Sequence, residues 1–114
     1  MTEWKASLTE DAKQDIRKIH GYISNVLLSP EIALGQVRRI MKAIFSLETL
    51  PMRFPLYKKE PWRSRGFRWF RVDNYLIFYF PDETTKNVTV FRVFYAHRDI
   101  DQILEQTATH SGQQ

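Results

Sequence analysis

This sequence predicts an α+β fold: an N-terminal strand and a helical hairpin packed on an antiparallel sheet. Two apolar stripes at helical spacing occupy the first half of the chain. Three segments rich in aromatic and β-branched residues occupy the second half, between Gly66 and Tyr95. Short polar turns separate those segments, and no Gly- or Ser-rich linker divides the chain into two cores. The predicted order is β-α-α-β-β-β with an optional short C-terminal helix, and helices segregated on one side of a sheet make an α+β sandwich.

Residues Trp4 to Leu8 read as the first strand. Thr9 is placed to cap the helix that follows, and Glu10 and Asp11 fall in its first turn, where the helix dipole favours anions. Ala12, Ile16, Ile19, Ile23, Val26 and Leu27 recur at steps of three and four, which is one helical stripe. Gly21 weakens this helix without breaking the pattern. Ser29 is a second cap and Pro30 fits the first helical position, where a missing N–H is harmless. Ala33, Val37, Ile40, Met41, Ile44 and Leu47 form the second stripe, and Pro51 closes it. Two amphipathic helices with a short joint pack as an antiparallel hairpin.

The segment from Pro51 to Pro61 reads as an ordered loop, since its apolar residues need burial. Gly66 to Val72 is a strand, and Asp73-Asn74 is a two-residue turn of hairpin chemistry. Tyr75 to Phe80 has almost no polar residue, which predicts a central strand covered on both faces. Pro81 to Lys86 is a turn and Asn87 to Tyr95 a further strand. Asp99 to Gln106 suits a short helix with Ile100, Ile103 and Leu104 inward. One domain over residues 1–106 with a polar tail at 107–114 is the expected organisation.

The chain has 114 residues, enough for one modest core. It contains no cysteine, which excludes disulfides and thiolate metal sites. His20, His97 and His110 are far apart and lack clustered carboxylates, so no metal is expected, and no Gly-rich phosphate loop indicates a cofactor. The opening MTEWKASLTED is acidic and has no apolar run, so a signal peptide is not expected and a cytoplasmic location is. No stretch approaches the roughly 20 apolar residues that span a bilayer.

The net charge is +4, but the cations are unevenly spread. Arg53, Lys58, Lys59, Arg63, Arg65, Arg68 and Arg71 stand against the single acid Glu60 in that span. Such a segment is either a solvated loop or a surface for an anionic partner. Arg68 and Arg71 lie three apart on one strand and so project to opposite faces. Arg92 stands in an apolar strand, where an Arg is expensive unless paired or at an open face. Simple alternation puts it with Val88, Val90 and Phe94, either pairing a carboxylate such as Glu48 or Asp73 or contacting an anion. Tyr95, His97 and Arg98 close that strand, and His97 has the proton affinity of a general acid or base. Trp62 and Trp69 interleave with Arg63, Arg65 and Arg68, a pattern that serves base stacking or a protein interface.

The element order, the run Val72-Asp73-Asn74-Tyr75-Leu76-Ile77-Phe78-Tyr79, and the close Phe91 to Ile100 resemble the RelE/ParE superfamily of bacterial toxins. The likeness covers roughly residues 3 to 105. It implies the toxin of a type II toxin–antitoxin module of the plasmid-stabilising, growth-inhibiting kind, held inactive by a cognate antitoxin and reaching operator DNA only through it. The ParE-like branch implies inhibition of DNA gyrase without catalysis, with Lys58, Lys59, Arg63, Arg65, Arg68, Arg71, Arg92 and Arg98 binding the target. The RelE-like branch implies a ribosome-dependent mRNA endonuclease, with His97, Tyr95 and Arg98 catalytic and Arg68 and Arg71 holding phosphates. Leu76 stands where those ribonucleases carry a strand Arg, and Ile103 and Leu104 where a terminal Tyr is expected. Those differences favour the ParE-like branch, while His97 keeps the other open. An antitoxin also implies exposed apolar surface, expected around Met41, Phe45, Phe54, Leu56, Tyr57 and Trp62.

Overall fold

A computed structural model describes residues 3–97 and 100–111, the side chains of 106–111 excepted. Strand β1 (Lys5–Leu8) leads into helix α1 (Glu10–Gly21), and α2 (Pro30–Phe45) returns antiparallel to it. Strands β2 (Arg68–Val72), β3 (Tyr75–Asp82) and β4 (Asn87–Tyr95) follow, then α3 (Ile100–Ser111). The sheet order is β1-β4-β3-β2. Both hairpin pairs are antiparallel, while β1 lies parallel to β4 at the edge. The helix α3 extends five residues beyond the Gln106 expected from the sequence.

Local chemistry sets the element boundaries. The Thr9 hydroxyl accepts from the Ala12 N–H at 3.1 Å and donates to the Phe91 carbonyl at 2.9 Å. One side chain therefore caps α1 and fixes its start to β4. Ser29 does not cap α2 through its side chain, which instead donates to the Leu27 carbonyl. Pro30 does open the helix. The Asp73-Asn74 turn joins Val72 directly to Tyr75, with Asp73 at φ 54°, a conformation its short polar side chain tolerates. Asp73 is then held by Arg39 at 2.8 Å and Gln36 at 2.9 Å, so α2 anchors the hairpin turn. These donors keep its carboxyl below the usual carboxylate range, the Arg39 bond most of all.

Two apolar clusters cover the two faces of the sheet, so β3 is central as expected. On the helical face, Ala12, Ile16, Ile40, Ile44 and Leu47 pack on Phe70, Ile77, Tyr79, Val88, Val90 and Val93. On the other, Phe78 and Phe94 pack with Tyr57, Trp62, Phe67 and Leu104 of α3. Each such side chain contributes roughly 1.5–3 kcal/mol when fully buried. Tyr79 is completely buried and donates to the Pro51 carbonyl at 2.6 Å, and burial pushes its phenol up to about 12.

The first apolar stripe departs from its predicted course. Beyond Gly21 the chain widens into a π-turn over Tyr22–Val26, marked by the Leu27 N–H bonding to Tyr22. One extra residue in a turn rotates the following side chains by about 100°. Ile23 stays buried, but Val26 and Leu27 are turned outward. The Ser29 N–H closes this end onto Ile23, and Leu28 takes the left-handed conformation (φ 55°) that usually falls to glycine.

Among the described residues, Gly66 is the glycine with a required geometry. Its φ is +88°, and an added Cβ would meet the Phe80 ring at 3.4 Å. Gly66→Ala is expected to lower stability by about 1–2 kcal/mol through backbone strain before β2. A chemical denaturation midpoint unchanged from the parent chain would refute this.

Candidate functional site

Arg92 is not where alternation puts it. A β-bulge lies between Phe78 and Tyr79 of β3, because Tyr79 faces Val90 while Phe78 faces Arg92. Phe91 is the extra residue, and the phase of β4 reverses there. Arg92 therefore shares a face with Phe94, over whose ring it lies at 5.1 Å, and not with Val88 or Val90. Its partner is neither Glu48 nor Asp73 but Asp15 of α1, bound at 2.7 and 2.8 Å. Asp15 also accepts the Val93 N–H at 2.9 Å. This fork satisfies β4 where β1 no longer runs beside it. Glu48 accepts the Ala6 N–H at 2.8 Å on β1 instead.

The other predicted target-binding cations separate into groups. Arg68 turns into the Pro51–Tyr57 loop and donates to the carbonyls of Met52 and Phe54, at 3.2 and 2.6 Å. Arg71 wraps the hairpin turn, donating to the Asp73 carbonyl and Asn74 Oδ1. Lys59 pairs with Asp101 of α3 at 2.6 Å, and Tyr57 donates to the same carboxylate at 2.7 Å. These bonds hold Asp101 below its usual range, Lys59 contributing most, while burial and then Asp101 push the Tyr57 phenol up. Lys58, Arg63 and Arg65 are exposed and form no ion pair among the described residues. Arg98 lies outside the described residues.

His97 is exposed in the turn after β4, its ring 5.2 Å from that of Tyr95. Tyr95 is 43% exposed and meets Tyr75 across the hairpin at 5.8 Å. Arg71 belongs to this end of the sheet through Asn74, whose carbonyl accepts the Ala96 N–H. Arg68 sits at the other end of β2. The two strand arginines thus do not converge on His97. Leu76 packs on the aromatic cluster. Among the described residues no three His, Cys, Asp or Glu gather to hold a metal, and no helix is long and apolar enough to cross a membrane.

Of the expected apolar patch, Phe45 is exposed as predicted, while Met41, Phe54 and Leu56 are only partly exposed. Tyr57 and Trp62 are buried, and Phe54 stacks on Phe70 at 4.2 Å. Further exposed apolar surface gathers at the tip of the helical hairpin, on Tyr22, Val26, Leu27, Leu28 and Ile32. Below that tip runs a groove of about 700 Å³, between the hairpin and the ends of β3 and β4. Leu27, Ile32, Tyr22, Tyr75, Tyr95 and Val93 line it, with Lys18 and Asp15 among its charged groups. Sequence reasoning missed this groove. Its one signal is the apolar run Val26-Leu27-Leu28 just before Ser29-Pro30, where a polar turn is the norm.

A helical hairpin on a four-stranded sheet presents a groove at the hairpin tip and a cationic loop over residues 58–66. Residues 6–110 match the family of ParE toxins of type II toxin–antitoxin systems (parDE), and the chain belongs to that family. The fold is similar to that in a chromosomal ParDE toxin–antitoxin system from P. aeruginosa, with 20% identity and a TM-score of 0.68 over 82% of this chain and 97% of that one. It is also similar to that in the toxin–antitoxin complex RelBE2 from Mycobacterium tuberculosis, with 21% identity and a TM-score of 0.59 over 83% of this chain and 93% of that one. No curated protein sequence matches the chain.

Proposed function

We infer that this ParE-family toxin inhibits DNA gyrase by binding it, and that a cognate antitoxin neutralises the toxin by seating in the hairpin-tip groove. The groove carries the antitoxin reading. Tyr22, Leu27 and Ile32 on its lining are each more than half exposed, which a lone chain has no reason to present together. Lys18 among the lining residues and the +4 net charge suit an acidic amphipathic segment. Both structural neighbours above are described as toxin–antitoxin systems or complexes. The module would act in the cytoplasm and reach operator DNA through the antitoxin.

Binding rather than cleavage is supported by the dispersal of the strand cations. Arg68 is spent on loop carbonyls and Leu76 carries no charge. The test is gyrase supercoiling measured with and without the chain. His97→Ala is expected to leave inhibition within about twofold of the parent, whereas loss of a general acid or base costs roughly 10²-fold. Cut transcripts and translation arrest without any change in supercoiling would overturn the gyrase reading in favour of the endonuclease.

A further inference from the structure

The loop over residues 58–66 combines rigidity with a charge pattern of its own. Backbone bonds close it on itself, Arg63 to Lys59 at 3.0 Å, Arg65 to Pro61 at 3.2 Å and Gly66 to Arg63 at 3.1 Å. Its one acid, Glu60, is exposed but engaged within the loop, accepting from the N–H and hydroxyl of Ser64 at 2.9 and 2.8 Å. Trp62 roots it in the aromatic cluster beside Tyr57 and Phe67, all three buried. Outward stand Lys58, Arg63 and Arg65, with Arg65 lying over the Trp62 ring at 5.9 Å. The loop belongs to the sheet face opposite the groove.

We propose that this loop binds the phosphodiester backbone of a nucleic-acid duplex without reading its sequence. The inference rests on the reading of the basic segment as the target-facing surface and names what that surface touches. The burial of the rings decides between partners. A protein interface centres on exposed aromatic or aliphatic anchors ringed by polar groups. A single strand is held by bases stacked on presented rings. Here Tyr57, Trp62 and Phe67 face inward and cations face outward. Phosphate contacts need only such cations, and they position a protein without specifying sequence. The internal bonds of the loop spare it most of the ordering cost of binding.

The test uses the full chain and a short fluorescent DNA duplex of arbitrary sequence, followed by anisotropy at rising salt. Three phosphate contacts give a log–log slope contribution of about −2.7, so salt rising from about 50 to 200 mM weakens this contribution roughly 40-fold. The variant Lys58→Gln, Arg63→Gln, Arg65→Gln is expected to lose that slope and at least about tenfold in affinity at low salt. The control Arg17→Gln, Arg38→Gln, Lys42→Gln carries the same charge loss on the helices and is expected to bind within about twofold of the parent. Equal weakening by both variants, no duplex binding at low salt, or tighter binding of a single strand would each overturn the proposal. An RNA duplex bound as tightly as DNA supports the phosphate chemistry and marks the source as either duplex; preference for DNA supports it and fixes the source. If the loop variant abolishes gyrase inhibition while no duplex binds, the partner is protein and the phosphate inference alone falls. Duplex binding by a chain that never inhibits gyrase supports this inference and sinks the gyrase reading.

Discussion

Replacing Asp15 by alanine is expected to cost about 3–5 kcal/mol of folding stability, the largest effect of any single substitution proposed for this chain. The side chains of Asp15 and Arg92 are only 11% and 20% exposed. Removing the carboxylate strips two charge-assisted bonds from Arg92 and one from the Val93 N–H. Each buried donor so deprived carries its own desolvation penalty. Asp15→Asn, which keeps one acceptor oxygen, is expected to lose less, about 1–3 kcal/mol. Urea unfolding of the three chains measures both. A loss below about 1 kcal/mol for Asp15→Ala would show that the fork between α1 and β4 does not hold the fold.

Charge placed in the groove should have the opposite signature. Leu27→Glu and Ile32→Glu alter side chains 53% and 62% exposed, so stability is expected to stay within about 0.5 kcal/mol. Binding of the antitoxin is expected to fall by more than 100-fold, or about 3 kcal/mol, since an apolar anchor is lost and a like charge introduced. Calorimetric titration of the purified partner reads the affinity, and co-expression reads whether the variant escapes neutralisation. Wild-type affinity in both variants would place the antitoxin elsewhere. The two experiments together separate the fork that builds the fold from the exposed apolar side chains of the groove, Leu27 and Ile32.

The elements were legible because each carries a local cause. Thr9 caps α1, Pro30 opens α2, and Asp73-Asn74 makes the hairpin, each as its own chemistry directs. β4 runs from Asn87 to Tyr95 as its β-branched and aromatic residues require. The site was less legible. The π-turn after Gly21 rotates Val26 and Leu27 out of the core, and no spacing of residues announces it. Periodicity alone continued the helix through it.

What the sequence determined by itself is the order of elements, the two-faced burial of β3 and the family likeness, all of which are written in the local pattern of residue types along the chain. What only the tertiary structure decided is the fate of the charges. One bulged residue at Phe91 reversed the phase of β4 and delivered Arg92 to Asp15, 77 residues away. The loop rings turned inward at Trp62 and left Lys58, Arg63 and Arg65 as the open cations. A guanidinium binds whichever acceptor the folded chain brings within about 3 Å, and that proximity is set by packing between distant segments, which no local pattern encodes.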